Sequence, residues 1–185
     1  MLDETGRLVV KTIDASCNNM DKLIEAILLL SRVGKSGLAN KYVDLSELAI
    51  EVGSDLRAQF PEQQVEFTVH PGLAANGDRN LLRVMMVNLL GNAWKYTSHV
   101  PAARVTFGIE EHDGKEVFYV RDNGAGFYMH EAEKLFKPFS RLGNSGDYKG
   151  SGIGLATVQR IIHAHGGEIW GVGEPGNGAT FYFTL

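Results

Sequence analysis

Between residues 8 and 31 the apolar positions Val10, Ile13, Cys17, Met20, Ile24 and Ile27 recur at alternating steps of three and four. That heptad seam predicts one long helix, which can pack on its own domain's core or pair with helices outside this chain. Gly34 and Gly37 stop it, and VGKSGLANK (33–41) reads as a linker. A second helical pattern runs through VDLSELAIEVGSDLRAQF (43–60), with Asp44 or Ser46 at its start. VEFTVH (65–70) alternates as a strand does, and residues 78–97 form a strong helical pattern opening at Asp78. ARVTFGIEE (103–111) and KEVFYVRD (115–122), joined by HDG, predict a β-hairpin. Residues 127–150 have weak periodicity and many glycine and polar positions, which predicts a long loop with one short helix. IGLATVQRIIHAH (153–165) is helical again and is closed by Gly166 and Gly167. EIWGVG (168–173) and ATFYFTL (179–185) end the chain as two strands around a glycine-rich turn. Helices and strands are interspersed but the late strands are hairpin-like. The expected class is α/β: a two-layer sandwich with a mixed sheet, helices on one face, three main helices, and one long helix before them.

Composition narrows the partners more than the fold. A hydrophobic content of 44% with 22% charged residues is ordinary for a soluble globular chain. A net charge of −4 gives no support to nucleic-acid binding, and the expectation is no nucleic-acid partner. The single Cys17 cannot form an internal disulfide, which fits a reducing compartment. AILLL (26–30) is too short to span a bilayer and no signal peptide opens the chain, so no membrane contact is expected of these residues, and the expected placement is cytoplasmic, alone or as the cytoplasmic part of a larger protein.

Two glycine motifs fail on context. VGKS (33–36) lacks the glycine a P-loop needs at position 29, where Leu29 stands, and follows a helix rather than a strand. GVGEPG (171–176) matches the dinucleotide pattern, but Pro175 and a strand stand where a helix is required, so a hairpin turn is expected. His163 and His165, two apart on a helix, point away from each other, and no metal-ligand cluster emerges.

The helix over 78–97 carries a stronger signal. At about 100° per residue, with Asn88 at zero, Asn92 falls near 40°, Lys95 near −20° and Tyr96 near 80°. Leu82, Met86, Leu89, Leu90, Ala93 and Trp94 fill the arc from about 100° to 240°. One face is core; the other presents two amides, an ammonium and a phenol. Such a face can simply be solvated, but two Asn residues inside a helix are locally unfavourable. Amide oxygens suit Mg²⁺, a hard cation that often shares substrate phosphates, and Lys95 supplies a point charge. In KGSGIGLATV (149–158), Gly150, Gly152 and Gly154 run directly into a helix, leaving backbone N–H groups open to a phosphate. Finally, VFYVRDNGAGF (117–127) ends a strand in a bare carboxylate, Asp122, followed by Gly124 and Gly126.

Taken in order, these motifs resemble the catalytic, ATP-binding domain of sensor histidine kinases, within the superfamily that includes gyrase, chaperone and mismatch-repair ATPases. NLLGNAWKYT (88–97) resembles the N box, DNGAGF (122–127) the G1 box, FKPFSRL (136–142) the F box and KGSGIGLATV (149–158) the G2 box; GNGATFYFTL (176–185) resembles the closing segment. The resemblance covers roughly residues 43–185 and implies a Bergerat-type ATP-binding fold. It implies that Asp122 accepts from the adenine amino group, with Thr180 supporting that contact and Gly124 and Gly126 letting backbone lie against the base. Tyr96 would border the base. Asn88 and Asn92 would hold Mg²⁺ through amide oxygens, with Lys95 on phosphate. Residues 127–150 would form the lid, anchored by Phe136 and Phe139, with Arg141 and Lys149 near the phosphates. Gly150, Ser151, Gly152, Gly154 and Leu155 would complete the nucleotide contacts.

The superfamily's hydrolases carry Glu where Asn88 stands, and an amide cannot act as that base, so transfer to a protein nucleophile is expected over hydrolysis. Residues 1–33 resemble the second helix of the family's dimerisation hairpin, 34–42 a linker and 43–185 the catalytic domain. None of the six histidines (70, 99, 112, 130, 163 and 165) sits in the family's phosphoacceptor box. The acceptor is therefore expected on a preceding helix, with Met1 beginning a fragment. The implied partners are a response regulator receiver domain and a second copy joined through the N-terminal helix. The same-fold alternatives are an anti-sigma-type serine kinase and a non-catalytic ATP-binding or interaction module.

Overall fold

The computed structural model describes residues 39–142, 148 and 150–185. The helix expected over 8–31 and the linker as far as residue 38 lie outside the described residues. The sheet order is β2-β4-β5-β7-β6, with β2 Val65–Val69, β4 Ala103–His112, β5 Lys115–Asp122, β6 Ile169–Glu174 and β7 Gly178–Phe183. Only β2 and β4 run parallel; the other neighbours are antiparallel, so the sheet is mixed as expected. Among the described residues three α-helices accompany it, α1 Leu45–Gln59, α2 Arg79–Tyr96 and α3 Gly154–Ala164, with a short 3-10 helix over Met129–Lys134.

Both predicted helix starts are capped. Asp44 accepts from the Glu47 N–H at 2.8 Å, and Asp78 accepts from the N–H groups of Asn80 and Leu81. Such caps each stabilise a helix start by about 1 kcal/mol. Leu45, Leu48, Ala49, Val52 and Leu56 bury one face of α1. The inward positions of the sheet add Val105, Phe107, Val120, Phe181 and Phe183, and the rings of Phe107, Phe118 and Phe183 stack on one another. Arg79–Glu51 and Arg83–Asp55 bridge α2 to α1 at 2.9 and 2.8 Å, but these half-exposed pairs contribute little.

Two features depart from the sequence reading. A second, two-stranded sheet pairs β1 (Lys41–Asp44) with β3 (Ala74–Gly77), so regular structure begins inside the segment expected to be linker. The Ser46 hydroxyl ties α1 to the turn before β3, donating to the His70 carbonyl and accepting from the Leu73 N–H. The first half of α2 is also buried more widely than its polar stripe suggests. Leu81 and Met85 lie on the Asn88 side yet are fully covered, because α2 is packed between α1 and α3. The usable polar face is therefore the C-terminal half of that helix.

Candidate functional site

Strand parity places a carboxylate among core positions. Phe118, Val120 and Asp122 share the inward face of β5, and Asp122 is only 6% exposed. Its Oδ1 accepts from the Gly124 N–H at 2.8 Å and the carboxylate also meets the Ala179 N–H. Those bonds favour the anion, yet burial outweighs them and pushes the carboxyl up to about 6. A carboxylate accepts at about four lone-pair positions, so two N–H partners leave capacity for a further donor.

The glycines after it are required by packing. A Cβ on Gly124 would lie 2.5 Å from the Tyr96 carbonyl oxygen, which accepts from the Ala125 N–H at 3.1 Å. Gly126 has φ +61°, and a Cβ there would run into the Glu174 carbonyl. The β6–β7 turn completes the support, the Gly176 N–H donating to the Ala125 carbonyl at 2.8 Å. The Asn123 side chain spans the Arg104 N–H and the Ala102 carbonyl. The loop is thus fixed between the end of α2 and the terminal hairpin.

On α2, Asn88, Asn92, Lys95 and Tyr96 are all half-buried. Asn88 Nδ2 donates to the Val84 carbonyl at 2.8 Å, and Oδ1 lies 2.6 Å from where a Cβ on Gly154 would stand. Only glycine lets the start of α3 approach that oxygen so closely. Lys95 Nζ lies 4.1 Å from the Tyr96 ring centroid and 3.1 Å from the Cβ position of Gly150. Burial, and secondarily the Arg141 charge, push the Lys95 ammonium down to about 8. Burial also raises the Tyr96 phenol above its ordinary value. Ile153 gives α3 no side-chain cap, and among the described residues no side chain bonds the first N–H groups of that helix, which starts against Asn88. The helix stripe and the glycine-rich helix start, distant in sequence, therefore meet.

Of the other expected nucleotide contacts, Leu155 and Phe136 are half-buried, Gly152 has φ +72°, and Ser151, Gly150 and Arg141 are exposed. Lys149 lies outside the described residues. Phe139 does not anchor the loop: its ring is 71% exposed and its φ is +62°, the backbone being held by a 2.9 Å bond from its N–H to the Gly152 carbonyl. Among the described residues of this region the buried side chains are Phe127 and Leu135. Gly171 and Gly173 of β6 make room for them, since a Cβ on Gly173 would lie 2.5 Å from the Phe127 ring. That packing explains the first two glycines of GVGEPG, and the third, Gly176, has φ +79° in the turn.

Thr180 is a correction. Asp122 pairs with Ala179, and Thr180 pairs with Arg121 on the opposite face of the sheet, where its hydroxyl accepts from Arg121 Nε at 3.1 Å. Alternation of core residues Ala179, Phe181 and Phe183 against Thr180 and Tyr182 carried that information. Two residues without an assigned role also reach the site: Tyr148 and His99, whose rings contact each other, with Tyr148 also against Tyr96.

Comparison with known proteins defines the class. Residues 77–185 match the profile of the family described as histidine kinase-, DNA gyrase B- and HSP90-like ATPases, and the chain belongs to that family. Within it, the likeness is to the ATP-binding domains of sensor histidine kinases. Cyanobacterial phytochrome A of Nostoc is 32% identical over 166 residues, which cover 90% of this chain and 22% of that protein. The chain thus spans about a quarter or less of the length of such relatives. The mycobacterial sensor histidine kinase MprB aligns at TM-score 0.64 and 26% identity, covering 77% of this chain and 95% of that one. Full-length ShkA in complex with AMPPNP aligns at TM-score 0.68 and 28% identity, covering 99% of this chain and 39% of that one. Among the described residues no helix is long and apolar enough to cross a membrane.

Proposed function

We propose that this chain binds Mg²⁺–ATP between α2, α3 and the Asp122 loop and presents the γ-phosphoryl group to a histidine carried on another segment. The observation that carries this reading is Asp122, a buried carboxylate at the end of a core strand whose Oδ1 accepts from the Gly124 N–H. Its remaining acceptor capacity suits the exocyclic amino group of adenine, whereas the carbonyl of guanine at that position would be repelled. The ShkA complex with an ATP analogue supports the ligand class.

At the other end, Lys95 and the uncapped N–H groups of α3 meet the phosphates and neutralise charge as the phosphoryl group transfers. Asn88 fits a hard cation: Nδ2 is occupied by the Val84 carbonyl, which turns Oδ1 toward the glycine-lined helix start. Asn92 follows one turn later. Mg²⁺ held there would add charge neutralisation between the phosphates. Asp122 is the only buried carboxylate among the described residues, and it stands at the base end. An amide at Asn88 cannot act as the base that activates water, which favours transfer over hydrolysis.

In the whole protein, residues 43–185 would act as the catalytic domain, 34–42 as linker and 1–33 as one helix of a dimerisation hairpin. The phosphorylated histidine would then serve a response regulator receiver domain, with the pair of kinase chains in the cytoplasm. Calorimetric titration tests the base-reading step. ATP should bind at least tenfold more tightly than GTP, and equal affinities would overturn the assignment of Asp122. Acid lability of phosphate placed on a supplied acceptor helix distinguishes histidine from serine transfer.

A further inference from the structure

We propose that Tyr148 forms, together with Tyr96, an aromatic wall against which the base of the bound nucleotide lies, and that His99 positions Tyr148. This rests on the ATP reading of the site. Tyr96 belongs to the base end on independent grounds. Its carbonyl accepts from the Ala125 N–H at 3.1 Å, in the loop after Asp122. The Tyr148 ring stands 4.9 Å from that of Tyr96 at 57°, and His99 flanks Tyr148 at 5.3 Å and 54°. Both separations fall in the range where aromatic pairs attract. The Tyr148 backbone is held as well, its carbonyl accepting from Arg141 Nη2 at 2.7 Å. Ring and main chain are therefore fixed from three sides, and Tyr148 is half-buried.

The geometry decides how such a pair can serve. Rings 4.9 Å apart and tilted leave no slot for a third ring between them, so a base cannot be sandwiched. They do present adjoining faces and edges, and the Tyr96 carbonyl ties one of the two residues to the loop after Asp122. A purine whose amino group reaches Asp122 would lie along that wall, and stacking of this kind is insensitive to which phosphates follow. The phosphate end is served by Asn88, Gly154 and Lys95, whose Nζ, 4.1 Å from the Tyr96 ring centroid, stands where the two ends join.

The discriminating experiment measures affinity for ATP, ADP, AMP and inorganic tripolyphosphate in the wild type, Tyr148→Ala, Tyr148→Phe and His99→Ala. Losing one base–aromatic contact should weaken binding about tenfold. Tyr148→Ala should show that loss equally for ATP, ADP and AMP and leave tripolyphosphate unchanged. Tyr148→Phe should restore affinity to within about twofold, because the ring supplies the contact. His99→Ala should give a smaller loss in the same pattern, and adding it to Tyr148→Ala should cost nothing further. A loss confined to ATP would show that Tyr148 acts on the γ-phosphate, and tighter binding would show that it occludes the site; either overturns the wall. Unchanged nucleotide affinity in Tyr148→Ala would overturn it while leaving the ATP reading intact. Failure of the wild type to bind any nucleotide would overturn that reading and this inference together.

Discussion

Asp122→Asn should make the protein more stable and a poorer ATP binder at once. The carboxyl is raised from its usual 3.8 to about 6, chiefly by burial. A group whose folded pKa is raised contributes stability that is fully present below its unfolded pKa and is lost as pH rises through the folded one. At pH 8 the ionised Asp122 therefore costs the fold roughly 3 kcal/mol relative to its neutral form. Asparagine keeps an acceptor for the Gly124 N–H at 2.8 Å but carries no charge to desolvate. The mutant should gain about 1–3 kcal/mol at pH 8, less near pH 5, and almost nothing near pH 4. Urea titrations at those three pH values measure this directly. In the same mutant ATP affinity should fall roughly tenfold to a hundredfold, because a hydrogen bond to a charged group is worth about 1.5–3 kcal/mol. A mutant less stable than wild type at pH 8, or a difference that does not change with pH, would refute the reasoning. The strain on the carboxylate would then not come from burial.

The same linkage predicts that wild-type ATP affinity falls as pH drops below about 6, since the adenine amino group needs the ionised carboxylate; titration calorimetry across pH 5–8 checks it. Affinity should also fall above about pH 8, where Lys95 loses its charge, and Arg141→Ala should move that alkaline limb upward by removing a neighbouring positive charge. His165→Leu should destabilise the domain by about 1–3 kcal/mol, because its Nε2 accepts from the Asp78 N–H at 3.1 Å while Nδ1 donates to the Ile161 carbonyl; thermal denaturation measures this loss. Incubation with labelled ATP should leave no acid-labile phosphate on this chain alone, but should label a supplied dimerisation-helix fragment, slowly for want of proximity. Label on the chain itself would identify an acceptor among its own residues.

Local chemistry made much of this protein readable before its coordinates. Asp44 and Asp78 announce helix starts because a short acidic side chain satisfies the first free N–H groups. Alternation marks β2, and apolar runs joined by turn residues mark the four other strands of the main sheet. The Asn88–Asn92–Lys95–Tyr96 stripe, Asp122 with its glycines, and the glycine run into α3 each carry a chemical meaning that needs no partner to recognise. What tertiary structure decided are the relations between such pieces. The β1–β3 sheet joins four-residue segments whose pairing has no period of its own. Leu81 and Met85 are buried because α3 covers a flank that a helical wheel leaves open. Gly173 answers to the Phe127 ring, which reaches it from a separate segment. Thr180 turns away from Asp122 because side chains alternate with a period of two, so the register of β7 against β5 sets which residue faces the carboxylate, and that residue is Ala179. Residue type and spacing fix what each segment can do; the pairing of distant segments fixes which groups meet, and that depends on backbone register and packing across the whole fold.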